Sequence, residues 1–137
     1  MSQTWHPDPQ QVTFGFEIEC NLPYQALREL ALEIGGYHRP IEIDVPSDSP
    51  FSGFAAGEDT SIPNRYNHRG VEFVSPVLRG TAGMQRAMSF AANLQELGAR
   101  PEGCGFHVHV GLVSLLGADA QDPEAVAEFL RRLMHLV

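Results

Sequence analysis

The feature that most constrains this chain is an alternation of period two at its start that returns near residue 105. From Val12 to Cys20, Val12, Phe14, Phe16, Ile18 and Cys20 fall on one parity, and Thr13, Gly15, Glu17 and Glu19 fall on the other. Gly105 to Leu112 repeats the pattern, with Phe106, Val108, Val110 and Leu112 set against Gly105, His107, His109 and Gly111. A period of two marks a β-strand with one face on a core. A shorter run, Val71 to Ser75, carries Glu72 and is closed by Pro76, and it reads as a third strand.

The stretches between change period. Asn21 is placed to cap a helix with Pro23 in its first turn, Leu22, Leu27, Leu30 and Ile34 on its apolar side, and Gly35-Gly36 as its stop. A short strand is expected at Ile41 to Val45. Residues 46–70, rich in Pro, Ser, Gly, Asp and Asn, read as a long irregular loop, and such loops in compact domains are usually functional. Thr81 caps a helix to Leu97 that would bury Met84, Ala87, Met88, Ala91, Leu94 and Leu97. Asp122-Pro123-Glu124 opens a last helix that runs through Phe129 and Leu133 to Val137. The order β-α-(β)-loop-β-α-β-α predicts an α+β fold with helices packed on one face of a sheet. Residues 1–11 read as an N-terminal arm and residues 12–137 as one domain, which suits a chain of 137 residues.

Charge narrows the partners. Nine basic against 17 acidic residues give a formal net charge of -8, which argues against nucleic acid and anionic membranes as partners. Every basic residue is Arg, so chemistry that needs a lysine within this chain is excluded. Two cysteines are too few for a disulfide framework, residues 1–10 do not read as a signal peptide, and no stretch approaches an apolar run of about 20 residues. A soluble, cytoplasmic protein is expected.

The candidate chemistry sits on the non-apolar parity of the strands. Glu17 and Glu19 lie two apart, about 6.6 Å between Cα atoms on one face. His107 and His109 share the same relation, and Glu72 lies on the strand between. If these strands are neighbours, three carboxylates and two imidazoles converge, and carboxylates that close repel unless a cation sits among them. A glutamate-rich set with an imidazole suits Mg²⁺ or Mn²⁺. Taken singly, each motif also suits the solvated face of a half-buried sheet. A zinc site from Cys104, His107 and His109 is a further option, although Cys104 has the wrong parity and the chain would have to bend at Gly105.

Four ordered segments carry a resemblance. They are Phe14-Gly15-Phe16-Glu17-Ile18-Glu19, Glu58-Asp59-Thr60-Ser61-Ile62, Gly70-Val71-Glu72-Phe73-Val74-Ser75-Pro76-Val77-Leu78-Arg79-Gly80 and Cys104-Gly105-Phe106-His107-Val108-His109-Val110-Gly111. Together they resemble the amidoligases, carboxylate–amine ligases related to glutamine synthetase and glutamate–cysteine ligase. The resemblance implies part of a glutamine-synthetase-like catalytic domain, a largely antiparallel curved sheet with helices packed on one face. It implies ATP and Mg²⁺ (or Mn²⁺) as cofactors, with small-molecule or peptide carboxylates and amines as substrates. It places Glu17, Glu19, Glu72 and His107 as metal-binding and catalytic residues. His109 falls on the nucleotide side, and Asp59 and Ser61 contact substrate or metal. The implied reaction is amide formation through an acyl phosphate.

Members of that family run to about twice this length, so the resemblance covers an N-terminal half. A homodimer, or a partner that supplies the missing half, is therefore an expectation. Two alternatives follow: a non-catalytic ligase half used for binding or assembly, and a cupin-type metal enzyme built on His107-x-His109. The cupin pattern wants a glutamate shortly after the second histidine, and residues 110–116 contain none.

Overall fold

The computed structural model describes residues 8–30, 39–40, 49–65 and 67–135. It is a mixed α/β fold built on a curled antiparallel half-barrel sheet. Strand β1, Thr13–Pro23, is its centre. On one flank β1 pairs with β4, His68–Val74, and with the two-residue β5, Leu78–Arg79; on the other it pairs with β6, Phe106–Val110. The registers fix these flanks, because Phe14 faces both Leu78 and Val110, and Ile18 faces both Phe73 and Phe106. Beyond β4 lie β3, Ala55–Glu58, and β2, Arg39–Pro40.

Between Glu17↔Val74 and Phe14↔Leu78 the β4–β5 line carries one residue more than β1, which makes a bulge at Ser75–Val77. Pro76 has no N–H to pair there. Ser75 fills the gap: its N–H donates to the Phe16 carbonyl, and its Oγ accepts from the Phe16 N–H, both at 2.9 Å.

The apolar parity of β1 and β4 forms the core. Phe16, Cys20, Leu22, Val71 and Phe73 pack with Phe51, Phe54, Phe90 and Leu94. Phe90 stacks on Phe54 with 3.9 Å between centroids and meets Phe73 edge-on at 5.5 Å. Burial pushes the Cys20 thiol from its ordinary value of 9.0 to about 12, with a smaller push from Cys104, so it stays protonated as a core side chain.

Four expectations change. Asn21 does not cap a helix: it lies inside β1, and its backbone exchanges two 2.9 Å hydrogen bonds with Arg100, which keep it extended. Helix α1 therefore starts later, at Tyr24–Glu29, and buries Ala26 and Leu27. Its expected continuation to Ile34 and stop at Gly35-Gly36, like the strand at Ile41 to Val45, lies outside the described residues. The segment 46–70 is not wholly irregular, since it holds β3 and the start of β4 and supplies Phe51 and Phe54 to the core.

Helix α2, Gly80–Glu96, also turns a different face inward. Gly83, Phe90 and Leu94 are buried, whereas Met84 and Met88 are 53% and 67% exposed. Gly83 decides this rotation. A Cβ there would stand 2.9 Å from the Cβ of Leu78, so glycine alone lets the helix press against β5 and Phe14. Fourth, the Thr81 hydroxyl does not cap α2; it accepts from Gln10, and Arg79 is the cap residue, without a side-chain bond.

After β6 come α3 (Leu112–Leu116), a 3-10 turn (Gly117–Gln121) and α4 (Pro123–Met134). The Asp122 carboxylate caps α4 by accepting from the Glu124 N–H at 3.0 Å, as its sequence predicts. Among the described residues, α4 buries none of its side chains, and no helix is long and apolar enough to cross a membrane.

Candidate functional site

Directly opposed residues in an antiparallel sheet point to the same face. Glu17 stands opposite Val74 on one side and His107 on the other. Glu19 stands opposite Glu72, Gly15 opposite His109, and Glu72 also opposite Gly57 of β3. The three strands that bear the charged parity are thus neighbours, in the order β4, β1, β6. All five residues share the sheet face that points away from the phenylalanine core.

Glu17 is the hub on the β6 side. Its Oε2 lies 3.2 Å from His107 Nδ1, and its Oε1 lies 3.2 Å from His109 Nε2. The hydrogen bond from His107, supported by His109, holds the Glu17 carboxyl below the usual carboxylate range against a smaller opposing effect of burial. His109 is therefore placed beside Glu17 rather than apart from it.

Glu19 is fixed differently. Its Oε2 accepts from the backbone N–H of Gly105 at 2.6 Å. A Cβ on Gly105 would meet the Glu19 carboxylate at 3.0–3.1 Å, so the glycine permits this approach. Asp59 follows β3 and reaches the same region. Its Oδ1 accepts from the Ser61 N–H at 2.8 Å and from the Ser61 hydroxyl at 2.6 Å. Ser61 thus orients Asp59. The Asp59 backbone is tied to β4 by its N–H, which donates to the Gly70 carbonyl at 3.0 Å.

Two groups of potential ligands result. Glu17, Glu72 and His107 offer ligand atoms that all lie within 4.8 Å of one another, and so do Glu19, Asp59 and Glu72. Glu72 belongs to both. Each group is rich in carboxylate oxygen, with a single imidazole in the first, which is the donor chemistry of Mg²⁺ or Mn²⁺ rather than of a sulfur-loving ion. Two groups that share a carboxylate are also the arrangement of a two-ion site.

The sequence candidates Glu17, Glu19, Glu72, His107, His109, Asp59 and Ser61 are all on this face or tied to it. Cys104 is not in either group among the described residues. Its sulfur lies 3.8 Å from the Glu102 carbonyl and 3.9 Å from that of Arg100, within reach of a weak S–H donor. Burial, and then the charge of Glu19, raise its thiol pKa, which opposes the thiolate that zinc requires.

The sequence reading missed the backbone N–H of Gly105 as a partner for Glu19. It also missed Asn64, whose Oδ1 accepts from the Gly70 N–H at 3.3 Å. A signal for the first was present: Gly15, Gly70 and Gly105 recur on the parity of the glutamates and histidines, where absent side chains leave that face open.

A family model described as "Putative amidoligase enzyme" matches residues 10–134. Neither the curated proteins nor the solved structures gave a match.

Proposed function

The chain belongs to the amidoligase family, and from that premise we propose that it carries the metal-binding part of an ATP- and Mg²⁺-dependent carboxylate–amine ligase. The observation that carries this reading is the pair of carboxylate groups that share Glu72. In the proposed reaction a substrate carboxylate accepts the γ-phosphoryl group of ATP, with release of ADP. The amine then attacks the acyl carbon, the C–N bond forms, and phosphate leaves with the oxygen. Bound Mg²⁺ would supply charge neutralisation for the phosphoryl oxygens.

The chain's own residues have separate tasks in this scheme. Glu17, Glu72 and His107 form one ligand set, and Glu19, Asp59 and Glu72 form the other. The hydrogen bond from His107 keeps Glu17 ionised and ready to bind a cation. Ser61 and the Gly105 N–H each occupy one oxygen of a carboxylate and so fix its orientation. His109 stands on the other oxygen of Glu17, and in this scheme it would be the residue on the nucleotide side. The substrates of this class are small or peptide carboxylates and amines.

Calorimetric titration of Mn²⁺ into the metal-free protein, with and without a non-hydrolysable ATP analogue, tests the reading. The protein is expected to bind Mn²⁺, more tightly with the nucleotide, and the Glu17→Gln/Glu19→Gln double variant to bind none. Unchanged Mn²⁺ affinity in that variant would sink the assignment.

A further inference from the structure

The sheet face that carries Glu17 and Glu19 changes chemistry along β1. Glu19 stands opposite Glu72, and Glu17 opposite His107. Two residues nearer the start of the strand, Gly15 stands opposite His109; two more, and Thr13 stands opposite Arg79. Each step is about 6.6 Å. On β1 the carboxylates therefore end at Glu17. An imidazole and a guanidinium follow, on either side of a floor at Gly15 that has no side chain.

Arg79 is poised rather than spent. Its neighbour Leu78 is buried in the core, so Arg79 turns to the opposite face, where it is exposed. Its Nη1 donates to Gln11 Oε1 at 3.0 Å. A guanidinium has five N–H donors. Among the described residues Arg79 pairs with no carboxylate, although acidic residues outnumber basic ones by 17 to 9. Gln11 thus steadies one corner of the guanidinium and leaves the rest to a ligand. His109 is held at the boundary of the carboxylates by its 3.2 Å contact with Glu17 Oε1.

The fold itself gives no reason for a glycine at position 15. Its φ is not positive, and the nearest atoms to an added Cβ are Ser75 Oγ at 3.4 Å and the Pro76 carbonyl oxygen at 3.9 Å, both ordinary contacts. Gly70 and Gly83, by contrast, are required by their neighbours. A glycine inside a strand weakens it, and it often marks a place where a ligand comes close to the backbone.

We propose that the Gly15 floor, between His109 and Arg79, is a subsite for a phosphate group of a polyphosphate whose adjoining phosphate binds the metal at Glu17. The inference rests on the metal–nucleotide reading above and adds two things to it. Arg79 and Gly15 become binding residues, and the phosphate chain gains a direction, from the carboxylates toward the Thr13 end of β1. The planar donors of a guanidinium match two phosphate oxygens at once. The missing side chain at Gly15 lets a tetrahedral group come down onto the strand between the two cationic partners.

Calorimetry on the full chain loaded with Mn²⁺ tests it with two probes, a non-hydrolysable ATP analogue and inorganic tripolyphosphate. Arg79→Gln should bind Mn²⁺ as wild type does and lose about tenfold in affinity for both probes. Arg79→Lys should recover part of that loss, since it restores the charge without the planar fork. Gly15→Ala should melt with wild type and also lose affinity for both probes. If Arg79→Gln and Gly15→Ala bind both probes as wild type does, the subsite is wrong and the ligase reading stands. If Mn²⁺-loaded wild type binds neither probe, the ligase reading fails and takes the subsite with it. A loss in Arg79→Gln confined to the ATP analogue would set Arg79 against the nucleoside and overturn the phosphate assignment.

Discussion

The two flanks of β1 carry the same alternation and have opposite fates. On the β4 flank the apolar parity is sealed: Phe73 is fully buried beneath Phe90, and the bulge at Ser75 is closed by two hydrogen bonds. On the β6 flank the same parity faces solvent at Phe106, Val108 and Val110. Period two records which side chains share a face. It does not record what lies over that face. On the β4 flank the cover is α2, brought close by Gly83; among the described residues nothing comparable lies over β6.

The largest test of this contrast is a pair of truncations. Phe73→Ala should cost about 3–5 kcal/mol, because a ring with packed neighbours leaves a cavity. Phe106→Ala should cost less than about 1 kcal/mol, because its ring is already mostly in water. Urea unfolding of both variants, at a dilution where no self-association is detected, reads the difference. Equal losses would mean that β6 is covered in solution and that the flanks are alike.

That contrast also explains what the sequence made legible. The facing of Glu17, Glu19, Glu72, His107 and His109 was readable, because strand parity alone assigns a face and the three strands proved adjacent. The cap at Asp122 was readable for a similarly local reason. The failures were set by distant contacts. Asn21 looks like a cap until Arg100, far along the chain, pairs with its backbone. Met84 and Met88 look like a core stripe until Gly83 turns the helix toward β5. Phe51 and Phe54 lie in a stretch rich in turn-forming residues, yet they complete the aromatic cluster around Phe90.

A second, smaller test uses the glycines beside the site. At Gly70 on β4, an added Cβ would meet Ile62 Cβ at 2.6 Å and the Asp59 carbonyl oxygen at 2.7 Å. Backbone cannot yield as a side-chain tip does, so Gly70→Ala should cost about 1–3 kcal/mol and weaken Mn²⁺ binding through displaced Asp59. At Gly105, next to β6, the nearest atoms to an added Cβ are the carboxylate end of the Glu19 side chain, which can rotate away. Gly105→Ala should cost less than about 1 kcal/mol. Thermal melts without Mn²⁺ separate the two. A Gly70→Ala variant as stable as wild type would show that the β3–β4 side of the site is looser than its hydrogen bonds suggest.

The smallest effect differs between the flanks in sign. Glu19 and Glu72 are directly opposed like charges on β1 and β4. Glu17 and His107 are an opposed hydrogen-bonded pair on β1 and β6. In chelator, without a divalent ion, Glu72→Gln should therefore raise stability by about 0.2–1 kcal/mol. His107→Gln should lower it by at most about 1 kcal/mol, because the Glu17–His107 pair is half exposed. With Mn²⁺ added, wild type should gain thermal stability and Glu72→Gln should not, because the shared ligand is gone. Salt should shrink both metal-free effects, since both are electrostatic and near the surface. If Glu72→Gln instead loses stability in chelator, the contacts Glu72 makes within the protein outweigh its opposition to Glu19. The β4 flank would then be stable without a cation.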